Sequence, residues 1–327
     1  MIRILCASER TGIQTDYPLE RLGAALKEHG NLIWVDFCGE SNETCEPILR
    51  QVFGFHPLAV EDALQETNLP KVDDWGDYLY IVIDALDFSP KNGQLRQIEL
   101  DVFLGTNYMV THHDLPIPAL DQTWESCQRD TRHLQNGADH LLYRLVDYVV
   151  AAYMPIVEQM DREIDEIEDR LFVSPSPSTV ERLFELKRAL LAMRRTIAPQ
   201  REVLNKLARD DYRVIDRRDR IFFRDIYDAL VRLHDLNESM RDLVSGALDT
   251  YLSVINNRMN EVMKTLTVIT TLFMPISFVV GFFGMNFFGP VADFAIWTDK
   301  PAFWITLTIL ILLPSTMLVL MRHKMWV

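Results

Sequence analysis

The chain lacks a glycine-rich phosphate loop, a His-Glu-x-x-His helix and a turn that would present a nucleophile. Those absences remove the most readable routes to nucleotide, metallopeptidase and acyl-transfer chemistry. The best cluster for hydrolysis, His112-His113-Asp114, ends a strand pattern with no nucleophile beside it, so catalysis is not expected. His56, in "FHPLAVED", reads as a helix-start residue rather than a ligand. Cysteine is scarce, with four in the chain at Cys6, Cys38, Cys45 and Cys127. Cys38 and Cys45 are spaced too widely for a zinc knuckle. The opening "MIRILCASER" lacks a charged-then-apolar leader, so the bulk of the chain is expected in the reducing cytosol, where thiols need not pair. Positive charge is short as well: 33 Lys and Arg stand against 47 Asp and Glu, a net charge of −14, which disfavours nucleic acid as a partner and suits cations.

Charge of either sign is what the last fifth of the chain has little of. The runs "TLTVITTLFMPISFVVGFF" (Thr265 to Phe283) and "AFWITLTILILLPSTMLVLM" (Ala302 to Met321) carry no charged side chain. Each approaches the ~20 residues a helix needs to cross the hydrocarbon. A buried soluble hairpin is the alternative, but two such runs with polar flanks favour a membrane. Arg258 and Lys264 precede the first run and Arg322, His323 and Lys324 follow the second, which places both termini on the cytoplasmic side by the positive-inside bias.

What is present before the apolar runs divides in two. Up to about residue 136, "NLIWVDF", "YLYIVIDAL", "ELDVFLG" and "YMVTHH" read as strands, with Gly105-Thr106-Asn107 as a hairpin turn. "YPLERLGAALKEHG" and "HPLAVEDALQE" read as helices. This predicts an α/β domain over 1–136. From 137 to 264 the patterns are helical: His140 to Phe172, a break at "SPSPS", a return from Thr179 to about Leu207, and a stalk helix whose apolar residues recur from Ile226 through Val254. The acidic segment "EQMDREIDEIEDR" in the first arm reads as a solvated face. The stalk has no proline from Ile221 to Phe273, so it is expected to run unbroken into a membrane domain at 265–327, with spans near 265–283 and 302–321.

A second periodicity lies on that stalk. Asn256, Asn260, Met263, Thr267, Thr270, Met274, Ser277, Gly281 and Gly284 recur every three or four residues, with Asp249 one heptad before Asn256. Lipid cannot satisfy hydroxyls and amides, so this face should look toward other helices or toward water. Plain helix packing would use the same residue types. Continuation of the pattern into soluble sequence through Asn256 and Asp249 favours a pore, and two spans enclose one only if several copies surround an axis. Magnesium binds oxygen and dehydrates reluctantly. A ring of Asn286 amides at the end of the first span could hold its hydration shell without trapping it, Gly284 would let the backbone pack closely there, and rings of Met263, Leu266 and Met274 could close by dewetting.

At these residues the chain resembles the CorA family of divalent-cation transporters. "YLSVINNRMNEVMKTLTVITTLFMPISFVVGFFGMNF" is similar to that family's stalk-to-pore segment with its Gly-Met-Asn signature. "FGFHPLAVEDAL", "PKVDDWGDYLYIVIDAL", "LKRALLAMRRTIAPQREVL", "FFRDIYDAL" and "MRHKMWV" resemble family segments in the same order. The resemblance implies an α/β cytosolic domain, a long helical stalk and two C-terminal transmembrane helices, assembled as a pentameric funnel in the cell or inner membrane. It implies a pore mouth at Gly284, Met285 and Asn286 and pore rings at Asp249, Asn260, Met263, Leu266, Met274 and Ser277. It implies transport of Mg2+, and secondarily Co2+, inhibited by internal Mg2+ bound between subunits at Asp225, with Asp87 as its partner; with no nucleotide-binding loop in the sequence, passive entry is the default expectation. This chain departs from the family in having Phe283 before the signature and "FFGPVADFAIW" where others have an acidic loop. Met285 favours the magnesium and cobalt branch over the zinc branch. A zinc or nickel transporter of the same family and a non-conducting, membrane-anchored sensor are the alternatives.

Overall fold

The computed structural model describes residues 1–8, 12–28, 30–65, 69–89, 94–130, 134, 136–173, 176–285 and 300–323. They form two compact units, Met1–Leu248 and Asp249–Val327.

The first unit is built on a seven-stranded sheet: β1 (Ile2–Ser8), β2 (Gly12–Thr15), β3 (Asn31–Cys38), β4 (Lys71–Asp74), β5 (Leu79–Ser89), β6 (Gln94–Leu104) and β7 (Tyr108–His113). The strand order is β2-β1-β3-β7-β6-β5-β4. Only the β3–β7 pair runs parallel, with Val35 opposite Val110. All four strands expected from composition are present. β1, β2 and β4 are additions: β1 holds Arg3 on an inward face, β2 is the short, largely exposed "GIQT" and β4 is the polar "KVDD", so none shows a clean apolar alternation. At the β6–β7 turn the Gly105 N–H bonds to the Tyr108 carbonyl at 2.9 Å. A Cβ on Gly105 would run into the Tyr108 ring, which is why the turn needs glycine.

Both faces of the central strands are covered. On one face Ile33, Val35, Phe37, Tyr80, Val82, Phe103 and Val110 pack with residues of α2 (Asn42–Pro47) and α3 (Pro57–Leu64), among them Cys45 and Val60. His56 caps α3 as expected, its Nδ1 accepting from the Leu58 N–H at 3.2 Å, with Pro57 at the first helical position. The preceding helix is shorter than the sequence suggests, a 3-10 turn at Leu19–Arg21 followed by α1 (Leu22–Ala25). On the opposite face Trp34 packs on Trp124 of α4 (Pro118–Arg129), ring centroids 4.8 Å apart. That face also buries a charged cluster. Asp36, 0% exposed, accepts from Arg3 Nη2 at 2.7 Å and Thr111 Oγ1 at 2.6 Å, with His113 Nε2 at 3.2 Å. Burial alone would push the Asp36 carboxyl up, but His113, Thr111 and Arg3 hold it below the ordinary range.

The helical part follows. The expected helix from His140 to Phe172 is two helices, α5 (Ala138–Ala151) and α6 (Tyr153–Val173), separated at Ala152. Pro155 explains the break, since it has no N–H for the Ala151 carbonyl and its ring crowds that oxygen. α7 (Pro177–Arg209) starts where Ser176 caps the Thr179 N–H. α8 (Arg220–Phe283) is a single helix of 64 residues, and α9 (Lys300–His323) closes the described chain.

Candidate cation pathway

The second unit contains the C-terminal part of α8, from Asp249, and the whole of α9. The two helices meet at a small contact lined by Pro275, Ile276 and Val279 of α8 and by Ile309, Leu313 and Pro314 of α9. Each proline leaves one carbonyl without its intrahelical donor, and both lie where the helices touch rather than on an outer face.

This contact fixes the direction of the polar face. At about 100° per residue, Asp249, Asn256, Asn260, Met263, Leu266, Thr270, Met274 and Ser277 fall within roughly 60° of one line along α8. The α9 contact is centred roughly 160° away on the same helix. All eight side chains are exposed, Met263 at 55%, Leu266 at 56% and Met274 at 65%. Thr267 and Thr270 donate their hydroxyls to the carbonyls of Met263 and Leu266, both at 2.8 Å. With those protons engaged, the outward lone pairs are free to accept, so this face presents oxygen acceptors and thioethers and no charge above Asp249.

At the top of α8 the Gly284 N–H still reaches the Val280 carbonyl at 2.9 Å, and the Met285 N–H bonds to Phe282 at 3.3 Å. A Cβ on Gly284 would lie 3.0 Å from the Val280 oxygen, so glycine lets this last turn tighten. Asn286 and Asp293 lie outside the described residues.

In the first unit, Asp225 is exposed on α8, and the carboxylate that shares its surroundings is Asp147 of α5. Burial raises the Asp147 carboxyl, Arg144 opposes the shift and the charge of Asp225 adds to it. The Tyr143 hydroxyl is raised first by burial and also by both carboxylates. Asp87 is exposed on β5, opposite Arg96 in the β6 register. Asp147 is not singled out by sequence pattern, because its helix also carries Asp139, His140 and Arg144. Among the described residues no three His, Cys, Asp or Glu side chains form a ready-made metal shell. His112 and His113 point to opposite faces of the sheet and make no joint site.

A family model described as "CorA-like Mg2+ transporter protein" matches residues 29–323. This chain belongs to that CorA-like family. The cobalt/magnesium transport protein CorA of Thermotoga maritima is 36% identical over 255 residues, 78% of this chain and 73% of that protein. The zinc transport protein ZntB of Yersinia enterocolitica is 25% identical over 273 residues, 83% of this chain and 81% of that protein. The solved structure of the CorA magnesium transporter from Methanocaldococcus jannaschii superposes with a TM-score of 0.85 at 21% identity, covering 99% of this chain and 98% of that one. The fold is therefore the CorA fold: an N-terminal α/β part, a long helix and two C-terminal apolar helices. As a CorA-family member the chain is a divalent-cation transporter and not an enzyme.

Proposed function

We propose that the chain assembles as a homopentamer whose α8 helices surround a pore for Mg2+, with Co2+ as a second substrate, in the cell membrane with both termini cytoplasmic. The observation that carries this reading is the placement of α9, which leaves the oxygen-rich face of α8 bare while covering the side away from it. One chain has no use for such a face in lipid, and five copies around an axis would turn it inward. Hydrated ions would meet the Gly284-Met285-Asn286 mouth, pass Ser277, Met274, Thr270, Leu266, Met263, Asn260 and Asn256, and leave by Asp249. The methionine and leucine rings are the constrictions that can dewet and close.

Internal Mg2+ would regulate the pore at Asp225. Asp147 and Asp225 repel when bare, and a cation bridging Asp225 to a carboxylate of the next subunit, Asp87 among the candidates, would hold the closed arrangement. Losing the ion shifts the equilibrium by the ion's differential affinity for the two states. Kinship with ZntB of Yersinia enterocolitica keeps Zn2+ as the second reading of the substrate. Uptake of Mg2+, Co2+, Ni2+ and Zn2+ into liposomes bearing the purified protein, with and without a proton gradient, decides between them. Mg2+ flux that needs no proton gradient is expected. Flux of Zn2+ alone, or none at all, would overturn the proposal.

A further inference from the structure

An acidic row crosses three strands inside the first unit. Asp84 lies opposite Glu99 in the β5–β6 ladder, and Asp101 lies opposite His112 in the β6–β7 ladder. Residues two apart on a strand share a face, so all four belong to the side that α2 and α3 cover. Asp84 is 2% exposed, Asp101 3% and His112 4%. Tyr80 donates its hydroxyl to Asp101 at 2.6 Å, and His112 Nδ1 lies 3.5 Å from the other Asp101 oxygen, with the Cys45 thiol of α2 beside the ring. Asp84 Oδ2 has no hydrogen-bond partner. A cavity of about 60 Å³ is lined by Glu99, Asp101, His112 and Asp114 among others. The cation from β4, Lys71, is engaged by Asp62 of α3 and Asp73, and lies 5.0 Å over the Tyr80 ring.

Asp84 also acts on the other side of the sheet. Its carbonyl accepts from the Tyr153 hydroxyl and from Gln200 Nε2, the latter at 2.7 Å. Tyr153 is the first residue of α6, just past the break at Ala152, and Gln200, 1% exposed, belongs to α7. One residue thus joins a buried carboxyl, one oxygen of which has no hydrogen-bond partner, to both arms of the helical hairpin.

We propose that Asp84 is a proton-operated latch, clamping the hairpin to the sheet while its carboxyl is neutral and loosening that clamp when it ionises. Burial, then the charges of Glu99 and Asp101, push Asp84 up to about 7. Burial likewise pushes Asp101 up to about 6, and burial would lower His112 but Asp101 holds it up to about 10. A carboxyl raised in the folded state keeps its proton where the unfolded chain has lost it. The stability from Asp84 is therefore fully present below the ordinary carboxyl value and is lost progressively as pH rises from there through about 7.

The test uses the full-length protein in detergent micelles and follows the infrared carbonyl stretch of protonated carboxyls together with thermal unfolding and hydrogen exchange. In the wild type a carboxyl band should titrate near neutrality, and the melting temperature should fall as pH rises across that range. Asp84→Asn, a shape-matched mimic of the neutral acid, should lose that band and flatten the pH dependence. Tyr153→Phe should keep the band but abolish the pH dependence of exchange at the start of α6 and around Gln200. A band titrating at about 7 that is undiminished in Asp84→Asn, beyond the Asp101 carboxyl that titrates at about 6, or equal pH slopes in the two proteins, overturns the latch. Control of flux by internal pH rests on the transport reading above, and pH-independent flux in a protein whose Asp84 titrates would overturn that coupling alone. The infrared and melting measurements do not involve transport, so the two failures are distinguishable.

Discussion

Asp147 and Asp225, far apart in sequence, share their surroundings in the folded chain: burial raises the Asp147 carboxyl and the charge of Asp225 adds to that shift. Bare carboxylates in such a pair oppose each other, and a divalent ion would relieve the strain. Asp225→Ala is expected to raise the internal Mg2+ needed for inhibition by roughly fivefold or more, within the usual range of coupling energies. A magnesium-sensitive dye in liposomes reads this directly. An unchanged inhibition curve removes Asp225 from regulation.

Asp147→Asn provides a second check on the same site. If the two carboxylates act through one ion, the double variant should lose little more sensitivity than Asp225→Ala alone. Additive losses would assign Asp147 to an independent role.

At the proposed mouth, Asn286→Ala should cut Mg2+ flux by roughly tenfold or more, the scale expected for a lost hydrogen bond to a charged species. Asn286→Asp should hold ions longer and slow their exit. Flux equal to wild type in the alanine variant would exclude the amide ring.

The face of α8 can be tested by cysteine substitution. Thr270→Cys, on the exposed side, is expected to react with a charged thiol reagent and lose flux in the assembled protein. Ile276→Cys, on the side toward α9, should be protected. Reversed reactivity would mean that the oxygen-rich face does not see water.

Asp36→Ala would leave Arg3 and His113 facing an empty position in the core, and should cost about 3–5 kcal/mol, measured as a drop in melting temperature. The Asp36 carboxyl is depressed in the folded chain, so its contribution is present above the unfolded value and is lost as pH falls through the folded one. The wild type should therefore weaken in acid more steeply than the variant.

Much of the chain was readable from local pattern. "YMVTHH" became β7 with the expected bounds, the helix expected from Thr179 became α7, opening two residues earlier at Pro177, and the two apolar runs became the end of α8 and most of α9. These features depend on neighbours one to four residues away. β1 was hidden because Arg3 faces inward and is tolerated through Asp36 and Asp121, and the break at Ala152 was hidden in an otherwise helical pattern.

By itself the sequence determined where the chain is apolar, where helices begin, and that acceptors and thioethers recur along one side of the last long helix, since helical and strand periods are written in adjacent residues. Only the tertiary structure decided that β7 lies beside β3, that α9 covers the far side of α8, and that Asp147 shares the surroundings of Asp225 within one chain. Such meetings are fixed by strand order and helix packing across long separations, where no residue's neighbours in the chain carry the information.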